Sequence, residues 1–413
     1  MAVRDLFRAS SAGLDRQVVL LSLTSLVIML GSSIISPVLP LYARKFGVSY
    51  AGAGLLVSAF AGGRLLFDYV GGALADRVSP RLLTAAGAAI TALSAFLCAQ
   101  AASFPWLVGY RVVEGVGSAF YVITIMALFA RTIRPEQMGK AMGFYQSMIL
   151  LGVSFGPTIG GIAAEAWGLR APFYFMAVFG VVVTVLSLRL VTSEVRPAHE
   201  ERIERPPFAE VARHMSSRSL LYVLLLTFFV FAIRAGARTN LIPLFGAERG
   251  GLGASAIGFI LSVSAFSNFA VLWHAGALLD RQGRQRVALP SLAATALLSA
   301  GFAWSPGFVN LLVMSTLLGV ALGYLAPAPA AMVADLTSRE MLGAVIGVYR
   351  MAGDLGLLLG PIALGAVATS WGFETAFVVA GLFGIATLGF GLGVPETLRV
   401  RARAPIDVQS TAG

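Results

Sequence analysis

The chain has 413 residues, of which 57% are hydrophobic and only 12% charged, and its formal net charge is +10. A soluble domain of this size holds about twice that charged fraction, so the composition excludes a single water-soluble core and implies a lipid bilayer as solvent. One cysteine, Cys98, excludes an internal disulfide framework. The basic residues lie mainly in short segments between apolar runs, which argues for membrane orientation rather than nucleic-acid binding.

Arg4, Arg8 and Arg16 precede an apolar stretch from about Val18 to Leu41. It is too long for the core of a cleaved signal peptide and reads as a first spanning helix. Twelve candidate spans follow in order: near 18–40, 51–75, 81–102, 104–131, 139–166, 171–192, 219–246, 254–279, 286–305, 307–333, 340–369 and 372–394. Backbone groups in hydrocarbon must be satisfied within the segment, so these runs are expected as helices.

The only long polar stretch, 193–218, is rich in Glu, Arg and Pro and divides the spans six and six. The expected organisation is an N-terminal bundle over 1–192, a cytoplasmic linker over 193–218 and a C-terminal bundle with a short tail over 219–413. With the N-terminus cytoplasmic, 21 basic residues fall on the inner side and four on the outer side, with five inside spans. That imbalance predicts both termini in the cytoplasm.

The halves repeat at a constant shift of 204 residues. Gly72 and Asp76 match Gly276 and Asp280; Gly139, Gly143 and Tyr145 match Gly343, Gly347 and Tyr349. Gly152, Gly156, Pro157 and Gly161 match Gly356, Gly360, Pro361 and Gly365, and Trp167 and Gly168 match Trp371 and Gly372. Repeated halves rocking about a midplane site are one way to alternate access.

Charges inside the spans are the candidate functional groups. Arg64 and Asp68 in span two, and Arg350 and Asp354 in span eleven, are each spaced to meet along one helix face. Either pair can carry a proton, since burial raises and a nearby arginine lowers a carboxyl pKa, or it can be a static ion pair. Span four holds Arg111 and Glu114, three residues apart, as a third such pair. Glu165 lies near the outer end of span five and reads as interfacial.

Arg234 and Arg238 share a face of span seven with no acid in that span. Either both face a cavity, where five midspan arginines against three carboxylates favour an anion, or Arg238 snorkels outward near Asn240 and only Arg234 is buried. His274 reads as a packed or polar-bridging residue. Aromatics including Tyr145 and Tyr349 are candidates to line an amphipathic cavity.

Three motifs carry a family resemblance. Gly72-Ala-Leu-Ala-Asp-Arg-Val-Ser-Pro-Arg81 follows span two and has a second copy, Gly276-Ala-Leu-Leu-Asp-Arg-Gln-Gly-Arg-Gln-Arg286, after span eight. Span four carries Arg111-Val-Val-Glu-Gly-Val-Gly117, and span five carries Gly152-Val-Ser-Phe-Gly156-Pro157-Thr-Ile-Gly160-Gly161. Together they resemble the major facilitator superfamily, and within it the twelve-helix drug–proton antiporter group.

The resemblance implies an all-α polytopic fold of two pseudo-symmetric six-helix bundles. It implies proton-coupled efflux of small amphipathic compounds across a bacterial inner membrane by a monomer. Gly72, Asp76, Arg77, Arg131 and Asp280 would form the conformational gate, with Asp76 paired to Arg131. In the second half Asp335 stands where Arg131 would, so no equivalent latch is expected around Asp280. Arg111 would take part in proton coupling, and Gly152, Gly156, Pro157, Gly160 and Gly161 form the antiporter motif. The first span lacks the carboxylate that several multidrug members carry. No catalytic triad, metal-ligand cluster or phosphate-binding loop is apparent, so no cofactor, metal or enzymatic role is expected. An exporter or exchanger of an organic anion or anionic lipid precursor is the alternative.

Overall fold

A computed structural model describes residues 14–75, 78–133, 135–191, 208–338 and 340–398, with side chains except at 68–75, 130–132, 135, 136, 208, 209, 211 and 212. The spanning helices are α1 (Arg16–Arg44, with an irregular turn after Ile34), α2 (Tyr50–Ala75), α3 (Pro80–Ala99), α4 (Phe104–Thr132), α5 (Pro135–Trp167) and α6 (Ala171–Leu190). A short helix, Phe208–Met215, precedes α7 (Arg218–Glu248), α8 (Ala254–Gln282), α9 (Arg284–Gly301) and α10 (Phe308–Leu336, broken near Pro327). The last apolar run, Leu342–Leu392, is two helices divided at Gly372, whose φ of 86° no helix accommodates. They are α11 (342–371) and α12 (373–392), which makes twelve spans.

Local chemistry sets many of these ends. Asp15, Ser79 and Ser217 cap α1, α3 and α7 by accepting hydrogen bonds from the amides of Gln17, Leu82 and Leu220. Pro80, Pro105 and Pro172 sit in first turns, where the missing N–H costs nothing. The reversals repeat with the halves. Gly47 and Gly251, with φ of 72° and 61°, turn the chain before α2 and α8, and Gly168 and Gly372 turn it before α6 and α12.

Within the first half α1 packs on α5 and α6, and α4 packs on α2 and α3. In the second half α8 packs on α10, α7 on α11, and α9 on α12 and α10. Two seams join the halves, α5 against α8 and α2 against α11. The face with residues 45–49, 168–170, 249–253 and 372 is called the far face, and the one with both described chain ends the terminal face. Trp106, Trp167, Trp304 and Trp371 are largely exposed near the far face, where indole rings mark a membrane interface.

Candidate functional site

The two seams are built by small residues facing backbone. On α2, a Cβ at Gly54 would lie 2.1 Å from the carbonyl oxygen of Pro361, and one at Gly365 would lie 2.5 Å from that of Tyr50. On α5 and α8, a Cβ at Gly258 would lie 2.2 Å from the carbonyl of Pro157, and one at Gly161 would lie 2.3 Å from that of Ala254. These are the same contacts transposed by 204 residues. Small residues are what let helices approach this closely in lipid.

The far ends of the seams carry matching polar clasps. The Ser255 amide and hydroxyl donate to Glu165, the amide at 3.0 Å, and at the transposed position the Ala51 amide donates to the Thr369 hydroxyl at 3.1 Å. Glu165 therefore caps the first turn of α8 from the opposite bundle. Around them Arg44 meets Glu248 at 3.4 Å, Tyr50 donates to the same carboxylate, and Arg249 meets Glu374 at 3.3 Å.

Toward the terminal face the seam helices part. At Gly139 and Gly143 of α5, Gly276 of α8, and Gly343 and Gly347 of α11, an added Cβ would meet nothing within 4 Å. Among the described residues, the glycine contacts that join the halves thus lie toward the far face, and the seam-helix glycines toward the terminal face border open space.

At the waist of the α2–α11 seam, Arg64 reaches across to Asp354 at 3.8 Å. The sequence had suggested pairing along each helix, Arg64 with Asp68 and Arg350 with Asp354. Across the seam the α2 arginine meets the α11 acid. Arg350 is exposed, and the Asp68 side chain lies outside the described set. Arg111 and Glu114 do meet, at 2.6 Å, buried within the first bundle, with the guanidinium 5.2 Å from the Phe60 ring. Arg111 Nε and Glu114 Oε1 have no hydrogen-bond partner among the described residues.

Arg234 and Arg238 lie on a π-helical segment, Ile233–Leu241, that periodicity did not foretell. A Cβ at Gly236 would lie 2.8 Å from the Gly360 carbonyl, and Asn240 donates to the Pro361 carbonyl at 3.3 Å. Glycine, proline and asparagine thus hold the widened turn against α11. Arg238 is buried rather than snorkelling outward. Arg234 is exposed near the middle of a spanning helix. Both line one cavity with Leu150 and Val153 of α5, Ala265 and Asn268 of α8, and Leu322 and Ala326 of α10.

Tyr145, a candidate cavity residue, is buried in the first bundle against Phe129, with ring centroids 5.2 Å apart. Tyr349 is half-buried. The antiporter-motif glycines of α5 mostly seat α1. Added Cβ atoms at Gly152, Gly156 and Gly160 would fall 2.6, 2.8 and 1.7 Å from the carbonyls of Leu26, Leu30 and Ile34. Gly161 alone turns to α8.

Of the expected gate, Asp76 and Arg77 lie outside the described residues. Gly72 and Arg131 are described only as helical backbone. In the second half no α10 arginine stands at the position matching Arg131, and Asp280 belongs to an ion cluster around Arg284. Arg284, which sequence reasoning passed over, binds Asp280 at 2.5 Å and the buried Asp335 at 2.9 Å. Glu396 accepts from the Arg284 and Gln285 amides at 2.7 and 3.0 Å, capping α9. The arginine in the motif's tail replaces the one missing from α10. His274 bridges to Tyr324 at 2.7 Å.

Residues 21–314 and 233–409 match the profile of the Major Facilitator Superfamily. A multi-drug resistance efflux pump PmrA homolog from Lactococcus lactis is 26% identical over 372 residues, covering 86% of this chain and 89% of that one. Multidrug resistance protein 2 of Bacillus subtilis is 25% identical over 369 residues, covering 88% of this chain and 91% of its own. A solved bacterial homolog of the human lysosomal transporter Spinster superposes with a TM-score of 0.75 at 17% identity, covering 94% of this chain and 97% of that one, and shares the fold.

Proposed function

The chain belongs to the Major Facilitator Superfamily, and from that premise we propose that it exports small amphipathic compounds or drugs by alternating access, driven by inward proton flow. The observation that carries the reading is the unequal seams. The same helices, α5 with α8 and α2 with α11, are in backbone contact toward the far face, while the glycines of α5, α8 and α11 toward the terminal face border open space. Rocking the bundles about the waist would exchange the two ends without unfolding either bundle. The efflux pump of Lactococcus lactis to which the chain is similar supports efflux as the direction.

The proton would be carried by the buried carboxylates, Asp354 at the waist and Glu114 within the first bundle, with Asp68 a further candidate on α2. Arg111, Arg64 and Arg350 would tune them. The terminal face would be cytoplasmic, as the excess of basic residues requires, and the membrane a bacterial inner membrane. Residues 1–192 and 219–413 would move as two bodies within a monomer, joined by 193–218.

Everted vesicles carrying the protein and an imposed proton gradient test the reading. Gradient-dependent accumulation of a fluorescent lipophilic cation, abolished by a protonophore, is the expected result. Accumulation that ignores the gradient removes proton coupling, and no accumulation of any amphipathic dye removes efflux.

A further inference from the structure

We propose that Arg234 and Arg238 form a subsite for an acidic head group, so that this transporter takes amphipathic anions, with a carboxylate or phosphate on an apolar body, as a substrate class. The inference rests on the transport reading above and concerns what the central cavity recognises.

Pairing locates the positive surplus. Of the midspan arginines, Arg111 is held by Glu114, Arg64 reaches Asp354, and Arg350 is exposed outside this cavity. The guanidinium groups of Arg234 and Arg238 take part in no hydrogen bond or ion pair among the described residues. Arg238 is nevertheless only 8% exposed. A buried cation without a partner is costly, and a second positive charge beside it raises that cost, unless an anion enters between them. The guanidinium is also the side chain best shaped to hold a carboxylate or phosphate by paired hydrogen bonds.

The surroundings fit a charged head on an apolar body. The cavity is narrow, about 40 Å³, enough for a few waters or a small acidic group. Its other walls are Leu150, Val153, Ala265 and Leu322, with Asn268 as an additional polar group. Leu150 also borders a second crevice of about 280 Å³ between α5 and α8, walled in part by Leu272 and Trp273, where an apolar tail can extend.

The repeat shows that this charge is specific to one half. Transposed by 204 residues, Arg234 and Arg238 fall on Leu30 and Ile34 of α1. The waist pair Arg64 and Asp354 likewise falls on Asn268 and Leu150, two of the cavity's own walls. One seam is therefore bridged by a protein ion pair, while the other places two arginines beside a wall with no acid. The matching part of α1 is α-helical through Ile34 and then breaks into an irregular turn, whereas the turn that presents the two arginines is π-helical. Such turns recur at functional sites.

The test uses the full chain in phosphatidylcholine nanodiscs, titrated with a dansylated alkyl carboxylate and with its uncharged primary amide. The carboxylate is expected to bind about ten-fold or more tightly than the amide, as a charge-assisted contact to arginine allows. Arg234→Gln and Arg238→Gln should each reduce that preference to near unity, while Arg234→Lys and Arg238→Lys keep part of it. Adding phosphatidylglycerol separates two sources of the anion. Competition with the probe assigns the subsite to lipid head groups, and its absence assigns it to soluble amphiphiles.

Equal affinity for carboxylate and amide in the unmodified protein overturns the proposal, as does a full preference in both glutamine variants. If Arg238→Gln does not fold, the unmodified comparison and the lysine variants still decide. Cation transport in everted vesicles with no carboxylate preference sinks this inference and leaves efflux standing. Carboxylate-selective binding with no vectorial transport does the reverse.

Discussion

Gly54 stands so close to α11 that a Cβ there would lie 2.1 Å from the carbonyl oxygen of Pro361, and Gly258 repeats the relation with Pro157 at 2.2 Å. Backbone carbonyls cannot yield to a side chain, so the far face closes only if both positions stay glycine. Gly54→Val and Gly258→Val should hold the far face open. With Ser255→Cys as reporter, labelling by an impermeant maleimide from the far side should rise several-fold in either background, the native Cys98 being buried. Unchanged labelling would mean that the close seam is not the far gate.

The Arg64–Asp354 pair joins the halves at the waist and is only partly exposed. Asp354→Asn should lower gradient-driven transport at least about ten-fold, the scale of one pKa unit of lost coupling. Substrate binding without a gradient should persist. A static ion pair predicts otherwise: Arg64→Gln with Asp354→Asn together would then restore transport.

Glu114 is fully buried against Arg111 at 2.6 Å. Glu114→Gln should cost about 3–5 kcal/mol of stability, because it strands a buried guanidinium. Arg111→Gln combined with Glu114→Gln should recover much of it. Thermal unfolding in detergent reads stability, and proton uptake on substrate binding reads coupling. Normal proton uptake in the folded double variant would take Glu114 off the proton path.

Arg284 serves two acids at once, Asp280 and Asp335, and its own amide is capped by Glu396. Lysine is a single point charge and cannot reproduce two directional contacts. Arg284→Lys should therefore fall between the native protein and Arg284→Ala in thermal stability, with the alanine variant losing about 3–5 kcal/mol by taking the Arg284 cation away from the buried Asp335. Equal melting of the two variants would show that only charge matters here.

The antiporter-motif glycines divide by neighbour. Gly160→Ala would put a methyl 1.7 Å from the Ile34 carbonyl, so α1 must move away from α5. It should abolish folding or lower stability by about 1–3 kcal/mol, the usual range for overpacking. Gly139→Ala meets open space and should stay within about 0.5 kcal/mol of the native protein. Equal effects at the two positions would refute the packing account of the motif.

The twelve spans were legible because hydrocarbon leaves a chain few options. Long apolar runs must be helices, and Gly, Pro and polar residues must mark where they end. The repeat was legible because it preserves residue types that only special backbone settings require, such as Gly168 and Gly372 with φ of 87° and 86°. Arg111 with Glu114 was legible for a similar reason, since residues three apart on one helix meet without help from the rest of the fold.

What lies between helices was decided only by the tertiary structure. Helical spacing offered Asp354 a partner on α11, but the α2–α11 seam brought it Arg64. Asp335 meets Arg284, 51 positions away in sequence, which no local spacing foretold. The π-helical turn under Arg234 and Arg238 depends on Gly360 and Pro361, more than a hundred residues on. Sequence by itself fixed the solvent, the number of spans and their twofold origin, because those follow from local apolarity and backbone chemistry. Which charges meet, which stay open to a ligand and which face is closed were set by the seams, because a single short gap between two glycine-lined helices determines what each side chain can reach.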